Sequence, residues 1–145
     1  MKRICVYGKG GIGKSTVVAN VAAAAAKSGR RVMVVGCDPK SDTTRVLMHG
    51  SIETILDVHA RMGGVGLTMD DVAHAGAFGV LCMESGGPRA GEGCAGKGIA
   101  LALQDIQELD IIDQFQPDLI LYDVLGDVVC GGFSTPLSEK VADTA

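Results

Sequence analysis

The sequence predicts an α/β protein with a mostly parallel β-sheet flanked by helices, and three features lead to that reading. Short, continuous apolar runs at residues 3–7, 31–36, 80–83 and 118–122 alternate with helix-length segments, the pattern of parallel strands covered on both faces. A glycine-rich or acidic segment follows each run, and ligands of such sheets sit beyond the carboxyl ends of the strands. The balance of 47% hydrophobic and 21% charged residues over 145 positions is that of one globular domain rather than a disordered chain.

Taken in order, residues 3–7 form a short buried strand that runs into a glycine loop over residues 8–15. The Ala/Val-rich segment 16–27 is then a helix, stopped by Gly29 in the C′ position. RVMVVG at 31–36 is the second strand, completes a βαβ unit and ends on Cys37-Asp38-Pro39-Lys40. Thr54, with Asp57 three residues on, caps a helix to about residue 60, and Thr68 with Asp71 repeats that arrangement before a second short helix. Residues 80–83 are the third strand. Six glycines within residues 86–98 are too many for a regular element, so a loop lies there. A helix runs from Lys97 or Gly98 to about Leu109, with Ile99, Leu103 and Ile106 on one face. Residues 118–122 are the fourth strand, ending at Asp123.

Composition narrows the function. With 13 Lys+Arg against 17 Asp+Glu, the net charge of −4 lacks the basic excess that nucleic-acid backbones require, so no nucleic-acid partner is expected. No apolar run approaches the roughly 18 residues of a membrane span, and the start shows no signal peptide, which predicts a cytoplasmic protein without a membrane partner. Glycine accounts for 21 residues while Trp is absent, a composition that favours close backbone approach to ligands over bulk.

Gly8-Lys9-Gly10-Gly11-Ile12-Gly13-Lys14-Ser15, followed by Thr16, matches G-x-x-x-x-G-K-[ST] between a strand and a helix, which is the context of the phosphate-binding loop of P-loop NTPases. The glycines let backbone N–H groups curl around the phosphates of ATP, Lys14 reaches the β and γ oxygens, and Ser15 offers its hydroxyl to Mg²⁺. Lys9 is either an exposed surface lysine or reaches the nucleotide of a facing subunit to neutralise transition-state charge. Leu119-Ile120-Leu121-Tyr122-Asp123 has the shape of a Walker B strand with Asp123 as the Mg²⁺ residue. Gly126, three residues on, offers a backbone N–H to the γ-phosphate. Asp38 either closes on the same site from the second strand or caps the next turn.

Five cysteines without a CxxC pair argue against a disulfide framework. Cys5, Cys37 and Cys82 lie in or at the ends of strands and read as small buried hydrophobes. Cys94 and Cys130 stand between glycines. Two thiolates cannot hold a [4Fe–4S] cluster, but a two-fold dimer would present four; isolated loop cysteines are the competing reading. His49, His59 and His74 have no ligand-like spacing.

GKGGIGKST, GCDPKSDTT, ESGGP with GCAGKG, and YDVLGDVVCGGF together resemble the nitrogenase iron protein family, which includes the iron proteins of dark-operative chlorophyll reductases and of nickel-tetrapyrrole biosynthesis. The resemblance spans essentially the whole chain and implies residues 1–145 as a single P-loop nucleotide-binding domain, the N-terminal portion of an iron-protein-like fold. It also implies a homodimer with one bridging [4Fe–4S] cluster on Cys94 and Cys130, a nitrogenase-like catalytic component as partner, and ferredoxin or flavodoxin as electron donor. It assigns Lys9 as the signature lysine, Lys40 to the nucleotide, Asp38 and Asp42 to switch I, Asp123 to Mg²⁺, and Asp127 to positioning the attacking water. Switch II then joins Mg²⁺ at Asp123 to the cluster ligand Cys130.

Two departures accompany the resemblance. Lys97 stands where nitrogenase members usually carry arginine, keeping charge without planar bidentate pairing. Family members are also nearly twice as long, so the chain is expected to be either a truncated fragment, with an inactive subunit as one reading, or a minimal form. The rival class is a non-redox positioning ATPase of the partition or septum-site type, which shares the Lys9-bearing loop but has no need of Cys94 and Cys130.

Overall fold

The structure, a computed structural model, describes residues 1–87 and 95–126. These form a sheet in the order β1-β5-β2-β4-β3, built from β1 (Lys2–Gly8), β2 (Val32–Cys37), β3 (His74–Ala75), β4 (Leu81–Glu84) and β5 (Leu119–Leu125). Every pairing is parallel except that of β3 with β4. The helices are α1 (Lys14–Lys27), α2 (Arg45–Met48), α3 (Ile55–Met62), α4 (Met69–Val72), α5 (Ala95–Glu108) and α6 (Ile111–Phe115).

The period of two along β2 divides the core. Val32 and Val34 face Val18, Ala19 and Ala22 of α1 and Leu47 of α2. Met33 and Val35 face the opposite side, where Ile55 and Val58 of α3, Ile99, Leu103 and Ile106 of α5 and Ile111 of α6 gather. Each Val, Leu, Ile or Met among them contributes about 1.5–3 kcal/mol when removed from water. Ile99, Leu103 and Ile106 thus form the predicted apolar face of α5.

The predicted strand–loop–helix order is present, with extended bounds. α1 begins at Lys14 and α5 at Ala95, both earlier than hydrophobic periodicity suggests, because a first helical turn need not contribute to the core. β5 continues past Asp123 to Leu125, since Val124 still pairs with Cys37 on one side and Tyr7 on the other. Burial on both faces holds for β2 and β4 throughout, whereas β1 is largely half-buried because it lies at an edge of the described sheet. The caps follow the sequence: Thr54 Oγ1 accepts the Asp57 N–H at 3.1 Å, Thr68 and Asp71 form a reciprocal capping box, and Gly29 takes φ 89° after α1. The two-residue β3 and the short α2 and α6 were too brief to leave a periodic signal. No helix among the described residues is long and apolar enough to cross a membrane.

Candidate nucleotide site

The site lies where β1, β2 and β5 end. Gly13 precedes α1 with φ 89°, a left-handed conformation that glycine adopts without a Cβ penalty. It turns the chain so that the first N–H groups of a fourteen-residue helix face the loop, with the positive end of the helix dipole behind them. A cavity of about 220 Å³ opens above this turn, walled by Lys9, Gly10, Gly11, Gly13, Lys14, Ser15 and Thr16 on one side. Asp38, Lys40 and Asp42 close it from the β2 side. Lys9, Lys40 and Asp42 are exposed, so the rim carries solvated charge while the charge of the floor, Lys14 and Asp123, is buried.

The floor is built on Asp123, fully buried two residues before the carboxyl end of β5. Lys14 Nζ forms a buried ion pair with its Oδ1. Ser15 Oγ donates to Oδ2 at 2.7 Å, and Thr43 Oγ1 donates to the same oxygen at 2.8 Å. The structure thus brings the adjacent lysine and serine that the sequence nominated to an aspartate more than a hundred positions away. Ser15 and Asp123 present two hard oxygens side by side. That donor set fits Mg²⁺, which commonly takes one or two protein ligands and completes its shell with phosphate and water. No cluster of three or more His, Cys, Asp or Glu able to hold a metal exists among the described residues.

Other nominated residues are placed with particular engagements. The Asp38 carboxylate accepts the Lys40 N–H at 2.9 Å while its carbonyl accepts the Ser41 N–H at 2.9 Å, so Asp38 both caps the turn and faces the cavity. Gly126, expected to offer its N–H to a phosphate, donates it to the Gly8 carbonyl at 2.8 Å. A Cβ at Gly126 would lie 2.7 Å from the Gly8 carbonyl carbon, so the two backbones are in direct contact. Gly8 in turn packs under Ile12, whose exposed side chain would lie 2.9 Å from a Cβ there. Asp127, Cys94 and Cys130 lie outside the described residues.

The described cysteines do not fit an iron–sulfur cluster. Cys5, Cys37 and Cys82 are buried on three different strands. Burial pushes the Cys5 thiol up to about 11 and that of Cys82 to about 12, and raises Cys37 further still. Metal ligation requires the thiolate, and these thiols resist ionisation. They are the small hydrophobes the sequence suggested.

Glu84 received no role from the sequence beyond its place in ESGGP. It is fully buried at the end of β4, where its Oε1 accepts both the backbone N–H of Thr44 at 2.7 Å and the Thr44 hydroxyl at 2.8 Å. Its Oε2 is buried without a hydrogen-bond partner among the described residues. Burial, above all, pushes its carboxyl up to about 7, against the lowering effect of the Thr44 bonds, with smaller upward contributions from Asp123 and Asp42. Gly36 makes the space: a Cβ there would lie 1.9 Å from Glu84 Oε2.

A strand, glycine loop and helix meeting a buried Lys–Asp pair at the carboxyl edge of a mostly parallel sheet define a P-loop NTPase fold. Solved structures agree on the fold. The septum-site-determining protein MinD of Pyrococcus horikoshii aligns with TM-score 0.65 at 23% identity, over 95% of this chain and 55% of that one. The BceF tyrosine kinase domain aligns with TM-score 0.69 at 18% identity, over 98% and 53%.

Within that class the chain belongs to the 4Fe-4S iron sulfur cluster binding proteins of the NifH/frxC family, whose model matches residues 2–145. The nitrogenase iron protein of Methanococcus voltae is 53% identical over 143 residues, covering 99% of this chain and 51% of the relative. Nitrogenase iron protein 2 of Methanothermobacter thermautotrophicus is 52% identical over 143 residues, covering 99% and 52%. The chain spans about half the length of the curated relatives it matches.

Proposed function

We propose that this chain is the nucleotide-binding portion of an ATP-dependent electron-transfer component that delivers single electrons to a nitrogenase or nitrogenase-like catalytic partner. Family membership supports the redox class, and the convergence of Lys14, Ser15 and Asp123 on one buried floor is the observation that carries the nucleotide part. Relatives at 52–53% identity favour this reading over a septum-site ATPase, whose likeness is one of fold.

In the state described, Asp123 occupies the lysine and the serine that the phosphates and Mg²⁺ would use. MgATP entering the cavity offers Lys14 a stronger anionic partner and gives Ser15 and Asp123 a cation to share, so binding exchanges one buried pairing for another without leaving a charge uncompensated. Lys40 and the loop N–H groups add positive potential at the phosphates. Lys9, which lines the cavity rim, is proposed to act on the nucleotide of a second subunit, and Asp127 to position the attacking water.

Cys94 and Cys130 are proposed to hold a [4Fe–4S] cluster between the subunits of a homodimer, two thiolates from each chain. Such a cluster would supply the transferable electron, replenished from ferredoxin or flavodoxin. The sequence from Asp123 through Gly126 toward Cys130 joins the nucleotide floor to a cluster ligand within one segment, and the Gly8–Gly126 contact fastens that segment to the phosphate loop.

Nucleotide titration of Lys14→Ala and Lys9→Ala tests the assignment. Lys14→Ala should abolish MgATP binding, whereas Lys9→Ala should spare binding more than turnover; equal loss of binding in both would remove the cross-subunit role. Iron after anaerobic reconstitution should approach four atoms per dimer and should fall sharply in Cys94→Ser or Cys130→Ser. Full loading of a strict monomer would contradict the bridging arrangement.

A further inference from the structure

Two adjacent threonines after β2 grip two different strands. Thr43 donates to Asp123 on β5 at 2.8 Å, and Thr44 donates twice to Glu84 on β4. The strand register explains the symmetry: Gly36 of β2 is the partner of Glu84 on one side and of Asp123 on the other. The two carboxylates therefore stand level across a position that has no side chain. The end of β2 and the loop after it also rest on the residues that follow Glu84. Ser85 donates its N–H to the Gly36 carbonyl at 2.8 Å, and a Cβ at Gly87 would lie 2.9 Å from Pro39 Cβ.

We propose that Glu84 is a positioning residue that, through Thr44, locks the cavity-facing loop of residues 38–44 onto residues 84–87, so that rearrangement at the nucleotide is passed to the segment after β4. The proposal rests on the nucleotide-site reading above. It adds a second path out of the cavity, distinct from the one that leaves Asp123 along β5. Thr43 and Thr44 are consecutive, so a shift of Thr43, when Asp123 turns to Mg²⁺, cannot leave Thr44 in place. Among the described residues Glu84 Oε1 has no partner besides Thr44 and its Oε2 has none, so the displacement is taken up by β4's end rather than absorbed by an alternative bond.

Hydrogen exchange read by mass spectrometry on the full-length protein, with and without MgATP, tests this at a peptide covering residues 81–87. The unmodified protein should show at least a threefold change in exchange on adding MgATP. Glu84→Met, close in volume but lacking the acceptor, should lose that response while binding MgATP within threefold of the unmodified protein. Glu84→Gln, which keeps an acceptor oxygen for Thr44, should restore it. An undiminished response in Glu84→Met, or no response in the unmodified protein while MgATP is bound, overturns the proposal and leaves the nucleotide site standing. A tenfold loss of MgATP affinity in Glu84→Met overturns it as well, by making Glu84 part of the binding site. Failure of the unmodified protein to bind MgATP overturns the nucleotide-site reading and the proposal with it. Should Glu84→Met fail to fold, Thr44→Val decides, because it removes one of the two bonds: a reduced response supports the coupling and an unchanged one refutes it.

Discussion

Asp123 and Glu84 occupy matching places on the two strands that flank β2, each in register with Gly36 and each fully buried, yet their surroundings are opposite. Asp123 is met by an ammonium and two hydroxyls, so its burial is balanced by a full set of donors. Glu84 has donors on one oxygen only, and burial holds its carboxyl near neutrality. Equal depth in one sheet thus yields a residue surrounded by exchangeable partners on one side of β2 and a proton-holding strut on the other. The difference comes from which donors reach each carboxylate: among the described residues Lys14, Ser15 and Thr43 reach Asp123, and Thr44 reaches Glu84.

The largest expected effect comes from stripping Asp123 of its cation. Lys14→Ala leaves a buried carboxylate with hydroxyl donors only, which should cost about 3 kcal/mol of stability in denaturant titration and eliminate MgATP binding by calorimetry. The corresponding loss at Glu84 should do neither to that degree, and equal effects would dissolve the contrast.

Proton linkage separates the two carboxylates next. Because the folded protein holds the Glu84 proton up to about pH 7 and the unfolded chain releases it near 4.5, Glu84 favours the folded state fully below pH 4.5. That advantage declines as pH rises through 7, by on the order of 3 kcal/mol. Thermal melts of Glu84→Gln should lack this decline relative to the unmodified protein between pH 4.5 and 7. A parallel pair of stability–pH curves would show that Glu84 ionises normally.

Gly36 supplies a sharper cut, since it borders both carboxylates. Gly36→Ala places a methyl group against Glu84 Oε2 and 2.9 Å from Thr43 Oγ1, an overpacking that should cost about 2 kcal/mol. Adding Glu84→Ala should recover the part of that cost due to Glu84 in a double-mutant cycle, because its crowding atoms are then gone while Thr43 Oγ1 remains. The smallest effect belongs to Thr43→Val, which takes one of three donors from Asp123 and should cost about 1 kcal/mol in denaturant titration. A cost above that of Lys14→Ala would mean that the hydroxyl, not the lysine, anchors the floor.

The Asp123 half of this comparison was legible in the sequence because its signals are local: eight contiguous residues form the phosphate loop, and an apolar run ends in the aspartate. The Thr54 and Thr68 caps were legible for the same reason, each requiring only a residue three positions on. The Glu84 half was not, because its burial depends on β4 pairing with β2 in one register and on the absence of a side chain at Gly36, 48 positions earlier. The strand order was equally hidden: nothing within residues 118–122 says that this run enters between the first two strands. Gly126 shows the remaining gap, since D-x-x-G announces a free N–H whereas packing against Gly8 engages it.

That insertion of β5 has a consequence for how the chain is made. Among the described residues β1 has one neighbour, β5, and about 110 residues must be translated between them before the two can pair, a closure of high contact order. Until then the emerging β1 has no strand beside it, β2 cannot substitute, and Lys14 has no carboxylate to meet. A nascent chain in that condition exposes a strand edge of the kind that chaperones and aggregation compete for. The glycine loop is thus translated more than a hundred residues before the aspartate that its lysine meets.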